Sequence, residues 1–495
     1  METRRQTIAA RLAAARKAPA VAHLNAFFEG PVYPAFYAAV VLLTSLTGIE
    51  IFFFIFTTLI IVYTTLFCED TKPLLTPVVM LVYAISWQHT FQPPYNSQFL
   101  SSPLSLATIG TCGGILAAVF MFRLIVFPPV RNFFKSRTYF GGGLVLFAAA
   151  LVVNGLFYFN GKSVQDALLG LLLAFSFLFL FIYFYNTLRI GKDGALYFAY
   201  LFALVTAVIL IQIAKVYLFD GVLREDGSIN KDAVIMGWGS PNKVGVMLAM
   251  YLPAGFYLAY KCRHGWLWYL FAFVQTGGIC LTLCRGAMLV GAAVTVAAAV
   301  VLSVAKSPQR TVIRAVNLAA VLAGIVLAVL FFDRIREMFS LLFERGFSDS
   351  GRFFIWKNGL QNFLREPLFG VGFYAPIVFD DPNWTYGFEN WFLPDMYHNL
   401  FIQTIACCGI AGMLALVYHL AQVLYALTRR PTPERFFYFG TVVMILGTAM
   451  FENHIFHILP ALLYSVVLLL WEKDMESEAP LCSRRGKNGL FVFGK

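Results

Sequence analysis

The sequence predicts an all-α polytopic membrane protein, on the basis of its composition, its long apolar stretches and the placement of its charges. Of the 495 residues, 59% are hydrophobic and 13% are charged, whereas soluble domains carry about 25% charged residues. The mean hydropathy is +0.73. The apolar stretches are long and continuous, as transmembrane helices of about 20 residues require, and they lack the alternation of barrel strands.

Fourteen apolar stretches have the length expected of transmembrane spans. Their approximate limits are 32–48, 50–68, 73–91, 103–127, 138–158, 166–187, 193–218, 242–260, 266–284, 286–305, 312–332, 399–426, 436–452 and 455–471. The division between the first two spans rests on Gly48 and Glu50, which interrupt one long apolar stretch. We therefore expect about fourteen transmembrane helices.

The charges give these spans an orientation. Starting from a cytoplasmic N-terminus, the segments predicted on the inner side are 1–31, 69–72, 123–137, 188–193, 261–265, 306–314, 427–435 and 472–495. They hold about two thirds of the 37 Lys and Arg residues but fewer than half of the 26 Asp and Glu residues. Because basic residues accumulate on the cytoplasmic side, the pattern predicts a multi-pass protein of the bacterial cytoplasmic (inner) membrane with both termini inside.

The net charge of +11 is thereby explained by membrane orientation, with anionic membrane lipids and not nucleic acid as the partner. No cluster of metal ligands, phosphate-binding glycine loop or Ser-His-Asp arrangement is recognisable. The eight cysteines include no CxxC motif, and several lie inside apolar stretches, which favours small buried side chains over disulfides. We therefore expect no metal and no cofactor.

The order of segments predicts five regions. Residues 1–31 form a basic amphipathic N-terminus on the inner surface, 32–332 form the transmembrane bundle, and 333–398 form a large extracytoplasmic loop. Residues 399–471 contain the last transmembrane helices, and 472–495 form a cytoplasmic tail. A loop of the length of 333–398 is usually functional or disordered, and its many aromatic residues predict packing against the outer rim of the bundle.

An amphipathic helix is predicted inside the large loop, from about 352 to 364, with Pro367 after its end. Arg352 falls in the first turn, where the helix dipole disfavours a cation but exposed backbone N–H groups favour an anion such as phosphate. Anion binding is therefore the functional interpretation of Arg352, and an exposed surface arginine is the alternative. Lys357 lies away from the apolar face of the same helix.

Arg285 and His398 are the other candidate catalytic residues. Arg285 forms almost the whole turn between two spans, and Gly286 and Ala287 leave room beside it. It either extends to the outer lipid headgroups or shares an anion site with Arg352. His398 ends the large loop at the edge of the next span, where a neutral imidazole can accept a proton from a hydroxyl. A structural histidine is the alternative.

Polar residues at other outer helix ends extend the candidate site. Asn242 follows Ser240 and Pro241 at the start of a span, where Ser240 is the expected helix cap. Glu452 and His454 lie in the last outer turn of the chain. They are candidates for an acid or a base, with a tight polar turn as the alternative.

Four motifs in this order resemble the O-antigen ligase and polymerase superfamily. They are Gly239-Ser240-Pro241-Asn242; Thr282-Leu283-Cys284-Arg285-Gly286-Ala287; Ser350-Gly351-Arg352 to Trp356 with Pro367 to Gly372; and His398-Asn399 with Gln403 and Gly409-Ile410-Ala411-Gly412. The resemblance covers about 235–425. Cys284 stands where the family usually has serine, and twelve spans are commonly drawn for the ligases, so twelve is the alternative count here.

The resemblance implies a glycan donor carried on undecaprenyl diphosphate at the outer face, and an acceptor hydroxyl on a lipid or glycan. Arg285 and Arg352 would hold the diphosphate, and His398 would activate or orient the acceptor hydroxyl. Transfer would invert the anomeric carbon without a metal. The further candidate substrate-binding residues are Asn242, Lys357, Asn399, Glu452 and His454.

The sequence leaves three functions open: a ligase or a polymerase of this superfamily, and a flippase. A ligase passes the glycan to lipid A core, a protein or a wall polymer, whereas a polymerase passes it to another lipid-linked repeat. A flippase for lipid-linked oligosaccharides is less favoured, because the repeated halves and broken helices typical of transporters are not recognisable. No sequence signal indicates an oligomeric state.

Overall fold

The structure, a computed structural model, describes residues 2–85, 102–157, 164–190, 193–222, 229–307, 309–330, 332, 352–372, 397–429 and 431–477. Within these ranges the regular secondary structure is helical, which confirms the all-α prediction. Positions 333–351 and 373–396 of the predicted large loop lie outside the described residues. They include the motif residues Ser350 and Gly351.

Eighteen α-helices are present in the described ranges. In chain order they are α1 Glu2–Arg16, α2 Pro19–Glu29, α3 Val32–Thr47, α4 Glu50–Phe67, α5 Leu75–Met80, α6 Pro103–Val126, α7 Gly141–Phe157, α8 Val164–Thr187, α9 Gly194–Phe219, α10 Pro241–Met250, α11 Leu252–Lys261, α12 Gly265–Leu281, α13 Arg285–Val304, α14 Arg310–Leu330, α15 Arg352–Arg365, α16 Leu400–Arg429, α17 Pro433–Thr448 and α18 Ile458–Ser477.

Each predicted span overlaps with helical structure in its described residues, but fewer helices have the length of a full crossing. Among the described residues, seven helical segments are long and apolar enough to cross a membrane, with α10 and α11 together counted as one. The number rises to eight if α2 and α3, bent by 73°, count as one span. The apolar segments Lys72–Ala84, Gly141–Val153 and Gly265–Leu281 are shorter than the roughly 20 residues of a straight crossing. A total of fourteen crossings, and an outer position for the large loop, stay predictions.

The predicted span 242–260 is divided into α10 and α11, which meet at Tyr251. Pro253 explains the break, because it lacks the backbone N–H that would continue the helical hydrogen bonding from α10. The basic N-terminus is likewise two helices, α1 and α2, which pack against α4. Arg16 and Asn25 donate to the carbonyls of Leu66 and Phe67, each at 3.0 Å, so the N-terminal helices cap the end of α4.

The last helix, α18, runs through the middle of the bundle and joins its two ends. It packs against α8, α9 and α17, and its residues 466–471 are fully buried. It begins just after the turn that contains Glu452. Near its other end, Glu476 accepts a hydrogen bond from the hydroxyl of Tyr185 in α8, at 2.6 Å.

A break in α16 joins this helix to the segment after α15. The break is at Gly409, whose φ is +63° and ψ is −158°. Two N–H groups after the break donate to the carbonyls of Pro367 and Leu368, at 2.8 and 3.1 Å. Two carbonyls before the break accept from the N–H groups of Val371 and Gly372, at 2.9 and 3.1 Å. The backbone thus fixes α15 relative to α16.

The helix predicted at about 352–364 is confirmed as α15. Its apolar side faces away from the protein, with Phe353 and Leu364 exposed by 65% and 75%. Its inward side contains Asn358 and Asn362, which are buried. This orientation is the one expected of an amphipathic helix that lies on a membrane surface.

Candidate functional site

A buried carboxylate, Glu452, lies at the centre of a cluster of polar side chains from distant parts of the chain. Asn242 Nδ2 donates to its Oε1 at 2.7 Å, and Arg352 Nη2 donates to the same oxygen at 3.0 Å. His398 Nδ1 lies 3.1 Å from the other oxygen, Oε2. Lys231 Nζ donates to Asn242 Oδ1 at 2.9 Å and adds a second cation to the cluster.

Glu452 is ionised in this arrangement. It lies in the turn after α17, outside the helices, and is 8% exposed. Burial alone would raise the pKa of its carboxyl. The hydrogen bond and charge of His398, with the charges of His454 and Arg352, outweigh burial, so the pKa of Glu452 is lowered. A carboxylate only accepts hydrogen bonds, and the groups around it therefore act as donors.

The carboxylate determines the tautomer of His398. Because Glu452 only accepts, the proton of a neutral His398 lies on Nδ1 and the lone pair lies on Nε2. The backbone of His398 has a φ of +48°, in the left-handed region that residues other than glycine seldom adopt. Such strain costs on the order of 1 kcal/mol and concentrates at functional sites.

Asn399 holds the strained backbone in place by capping α16. Its Oδ1 accepts from the N–H groups of Phe401 and Ile402, at 3.0 and 3.1 Å. Its Nδ2 donates to the carbonyl of Met450 at 3.1 Å. The side chain predicted to contact substrate is thus engaged in positioning His398 against the turn that contains Glu452.

Gln403 connects the same two segments from one turn further into α16. Its Oε1 accepts from the N–H of Tyr397 at 3.0 Å and from Nδ2 of Asn453 at 2.6 Å. These two donors are the sequence neighbours of His398 and Glu452. The imidazole and the carboxylate are therefore held together by side chains as well as by their own hydrogen bond.

Tyr397 also positions α15. Its carbonyl accepts from Trp356 Nε1 at 2.9 Å, and its hydroxyl accepts from Asn362 Nδ2 at 2.8 Å. Arg352 is the first residue of α15, and His398 follows Tyr397 directly. One tyrosine thus fixes the separation of the arginine and the histidine.

Four helices begin at the cluster. α10 begins at Pro241, beside Asn242; α13 begins at Arg285; α15 begins at Arg352; and α16 begins at Leu400. The first turn of a helix presents N–H groups without intrahelical partners and carries a partial positive charge. With the cations of the cluster, these helix ends create a field that favours a ligand with more than one negative charge.

Arg285 lies next to the cluster through its neighbour Gly286. A Cβ on Gly286 would stand 2.7 Å from Cβ of Phe451, so the start of α13 touches the turn that contains Glu452. Arg285 itself is exposed. Only glycine at 286 permits this approach, which gives the Arg-Gly pair of the motif a physical reason.

The structure brings together four of the predicted site residues by direct hydrogen bonds: Asn242, Arg352, His398 and Glu452. His454 is buried beside them, and its N–H donates to the carbonyl of Glu452 at 2.7 Å. Their position on the outer side of the membrane and their chemical roles stay predictions.

Two residues fall differently from the sequence reasoning. Lys357 is exposed on α15, roughly 140° around the helix from Arg352, so this predicted contact points elsewhere. Lys231 joins the cluster but was not predicted. The signal for it was available, since it is a basic residue in the outer loop that leads to Asn242, on the side where basic residues are scarce.

Residues 270–417 match the family model described as O-antigen ligase. The fold is that of a helical membrane protein, and the match is to the same superfamily, of O-antigen ligases and polymerases, that the sequence motifs resemble. The matched region contains Arg285, Arg352 and His398, while Asn242 and Glu452 lie on either side of it. No curated protein matches the chain.

Proposed function

We propose that this protein is an O-antigen ligase-type glycosyltransferase that moves a glycan from undecaprenyl diphosphate to an acceptor hydroxyl at the outer face of the bacterial inner membrane. The main support is the cluster on Glu452, where Asn242, Arg352 and His398 meet from distant positions in the chain. Asn242 and Glu452 are 210 residues apart in the sequence, so the tertiary structure of the protein brings their side chains into contact. The match of residues 270–417 to the O-antigen ligase family supports an enzyme that acts on lipid-linked glycans.

The cations of the site stabilise the leaving group of the proposed reaction. In the proposed reaction, the bond between the anomeric carbon and the diphosphate oxygen breaks, and the diphosphate leaves with an additional negative charge. Arg285, Arg352 and Lys231, with the helix N-termini, stabilise that charge as it develops. Arginine has five N–H donors, so Arg352 can hold Glu452 and contact a phosphate oxygen at the same time. In this proposal these cations supply the charge that a metal supplies in other transferases.

In the proposed reaction His398 activates the nucleophile, which is the acceptor hydroxyl. Its Nε2 lone pair accepts the proton of the acceptor hydroxyl while the hydroxyl oxygen attacks the anomeric carbon. The resulting imidazolium is stabilised by the Glu452 carboxylate on the opposite side of the ring. A single displacement of this kind inverts the configuration at the anomeric carbon. The proton ends on His398 and the glycan ends on the acceptor oxygen.

The acceptor distinguishes a ligase from the alternative, a polymerase of the same superfamily. Both reactions use the donor site and the base described above. A ligase transfers to lipid A core, a protein or a wall polymer, and a polymerase transfers to another lipid-linked repeat. The distribution of product lengths therefore separates the two.

The test is complementation of a host that lacks this gene. Arg352→Ala and His398→Ala are expected to abolish the surface glycan that the wild type restores, because they remove the diphosphate contact and the base. Arg365→Ala, an exposed arginine at the other end of α15, and His264→Ala, an exposed histidine before α12, are the matched controls and should complement fully. Expression and thermal stability of all variants are compared in detergent.

Each outcome has a distinct meaning. Loss of all attached glycan with lipid-linked donor accumulating outside supports the ligase, and single repeats in place of a ladder support the polymerase. Donor accumulating on the inner leaflet would favour a flippase and reject the transferase. Full complementation by well-expressed Arg352→Ala and His398→Ala proteins would reject the residue assignments.

A further inference from the structure

A cavity with polar and charged residues lies at the opposite end of the bundle from Glu452. Its volume is about 1000 Å³, and it opens between α1 and α2 on one side and the ends of α6 and α8 on the other. Asn186 and Thr187 line it, directly after Tyr185, which binds the far end of α18. The 20 residues of α18 span roughly 30 Å, so the cavity and the Glu452 cluster are separate sites.

The cavity combines four basic residues with two acidic ones. It is lined by Arg16, Lys17, Arg123 and Arg189 and by Glu29 and Glu69. Glu69 forms an ion pair with Arg189, which leaves three cations and one carboxylate to determine the local charge.

The two central arginines are held close to each other. Arg16 lies over one ring, that of Phe127, at 4.5 Å from its centroid, and Arg123 lies over the same ring at 5.1 Å. Burial lowers the pKa of the Arg16 guanidinium, and repulsion by Arg123 adds to this effect. Both guanidiniums donate to backbone carbonyls, among them those of Leu66 and Cys68, which carry only partial charge. A ligand with a full negative charge would relieve their repulsion.

Much of the remaining lining is apolar. It includes Leu124, Phe127, Pro129, Val130 and Ile182, and Phe134 at the rim is 78% exposed. A cavity lined by both cations and apolar side chains matches the two parts of a phospholipid. It is formed by segments of 1–31, 69–72, 123–137 and the end of α8, all of which the charge pattern predicts at the inner surface.

We propose that this cavity binds the phosphate and the first part of the acyl chains of an anionic phospholipid. The phosphate lies against Arg16, Lys17 and Arg123, and the chains follow Phe127 towards Phe134. Because α1 and α2 form one wall, the bound lipid ties the basic N-terminal helices to the bundle. A zwitterionic lipid binds less well, since its own ammonium or choline group would lie among these cations.

The test measures lipid binding by the purified full-length protein in detergent. Phosphatidylglycerol is expected to raise the Tm and to remain bound in native mass spectrometry, with phosphatidylcholine much less effective. The double variant Arg16→Gln, Lys17→Gln should raise the Kd for phosphatidylglycerol roughly tenfold or more. Arg11→Gln, an exposed arginine of the same helix that does not line the cavity, should bind like the wild type.

A charge reversal at an exposed position distinguishes a loss of lipid binding from a loss of folding. Lys17→Glu changes only an exposed side chain, and it is expected to remove the preference for phosphatidylglycerol while leaving the lipid-free Tm unchanged. The proposal fails if Lys17→Glu and the double variant retain the wild-type preference. It also fails if inorganic phosphate alone reproduces the full rise in Tm, because the ligand would then be a soluble anion.

Discussion

At position 398 the backbone has a conformation that costs free energy, and the side chain is held by a hydrogen bond. The φ of +48° is maintained by the Asn399 cap, and the imidazole is maintained by a hydrogen bond to a buried carboxylate. A histidine that only filled space would require neither. The combination of a strained backbone, a fixed tautomer and a carboxylate shared with Arg352 favours the catalytic interpretation of His398, whose role stays a prediction.

The charge of Glu452 predicts how the site responds to pH. The pKa of Glu452 is lower in the folded protein than the unfolded value of about 4.3, so its stabilising contribution is complete above that value. The contribution is lost as the pH falls through the lower folded pKa. Glu452→Gln removes the charge, and we expect its Tm to lie below that of the wild type at neutral pH, with the difference shrinking below about pH 4.

Thermal unfolding of the two proteins in detergent from neutral to acid pH measures this difference directly. Glu452→Asp, which keeps the charge, is the companion variant and should retain part of the pH-dependent difference. Glycan transfer should fall in Glu452→Gln, because an amide cannot stabilise the imidazolium of His398. A constant difference in Tm at all pH values would contradict an ionised Glu452.

At the scale of elements, the junction of α15 and α16 is the feature that makes the site possible. Arg352 lies at the beginning of α15 and His398 immediately before α16, and the two helices are tied by backbone hydrogen bonds at Gly409 as well as by Tyr397. The Gly-rich motif that resembles the superfamily thus has a mechanical explanation. The break in α16 leaves backbone N–H and carbonyl groups without partners inside the helix, and these groups form hydrogen bonds with the segment that follows α15.

Gly409→Ala is expected to disrupt this junction. The φ of +63° disfavours any side chain, and a Cβ would lie 2.5 Å from the carbonyl group of Leu368, which is backbone and cannot rotate away. We expect a loss of stability of roughly 2 kcal/mol or more and a loss of glycan transfer. Gly277→Ala, inside α12, is the control, because a Cβ added at Gly277 would have no neighbouring atom within 4 Å. Similar Tm and activity for the two variants would show that the junction is not rigid.

The sequence predicted elements better than it predicted their contacts. Apolar stretches and helix-stop signals are local, so the positions of the helices, including α15, could be derived from them. The break at Tyr251 could have been inferred from Pro253. By contrast, the central position of Glu452 depends on how distant turns meet, and no local pattern encodes that meeting.

At the scale of the whole molecule, the two polar sites lie at opposite ends of the bundle. The Glu452 cluster is at the end predicted to face outside, and the basic cavity is at the end predicted to face the cytoplasm. α18 connects the two ends over roughly 30 Å, about the thickness of the hydrocarbon core of a bilayer. This separation is what a membrane enzyme requires if it reacts at one surface and is anchored at the other.

The orientation itself is testable by labelling single cysteines in a variant whose native cysteines are replaced. Ser102, before α6, and Lys306, after α13, are separated by seven predicted spans, an odd number, so they should lie on opposite sides of the membrane. We expect Ser102→Cys to react with a membrane-impermeant maleimide in cells whose inner membrane is intact, and Lys306→Cys to react only after that membrane is opened. Labelling of both from the same side would show that the number of crossings between them is even. The Glu452 cluster and the basic cavity would then have to be reassigned to the membrane faces.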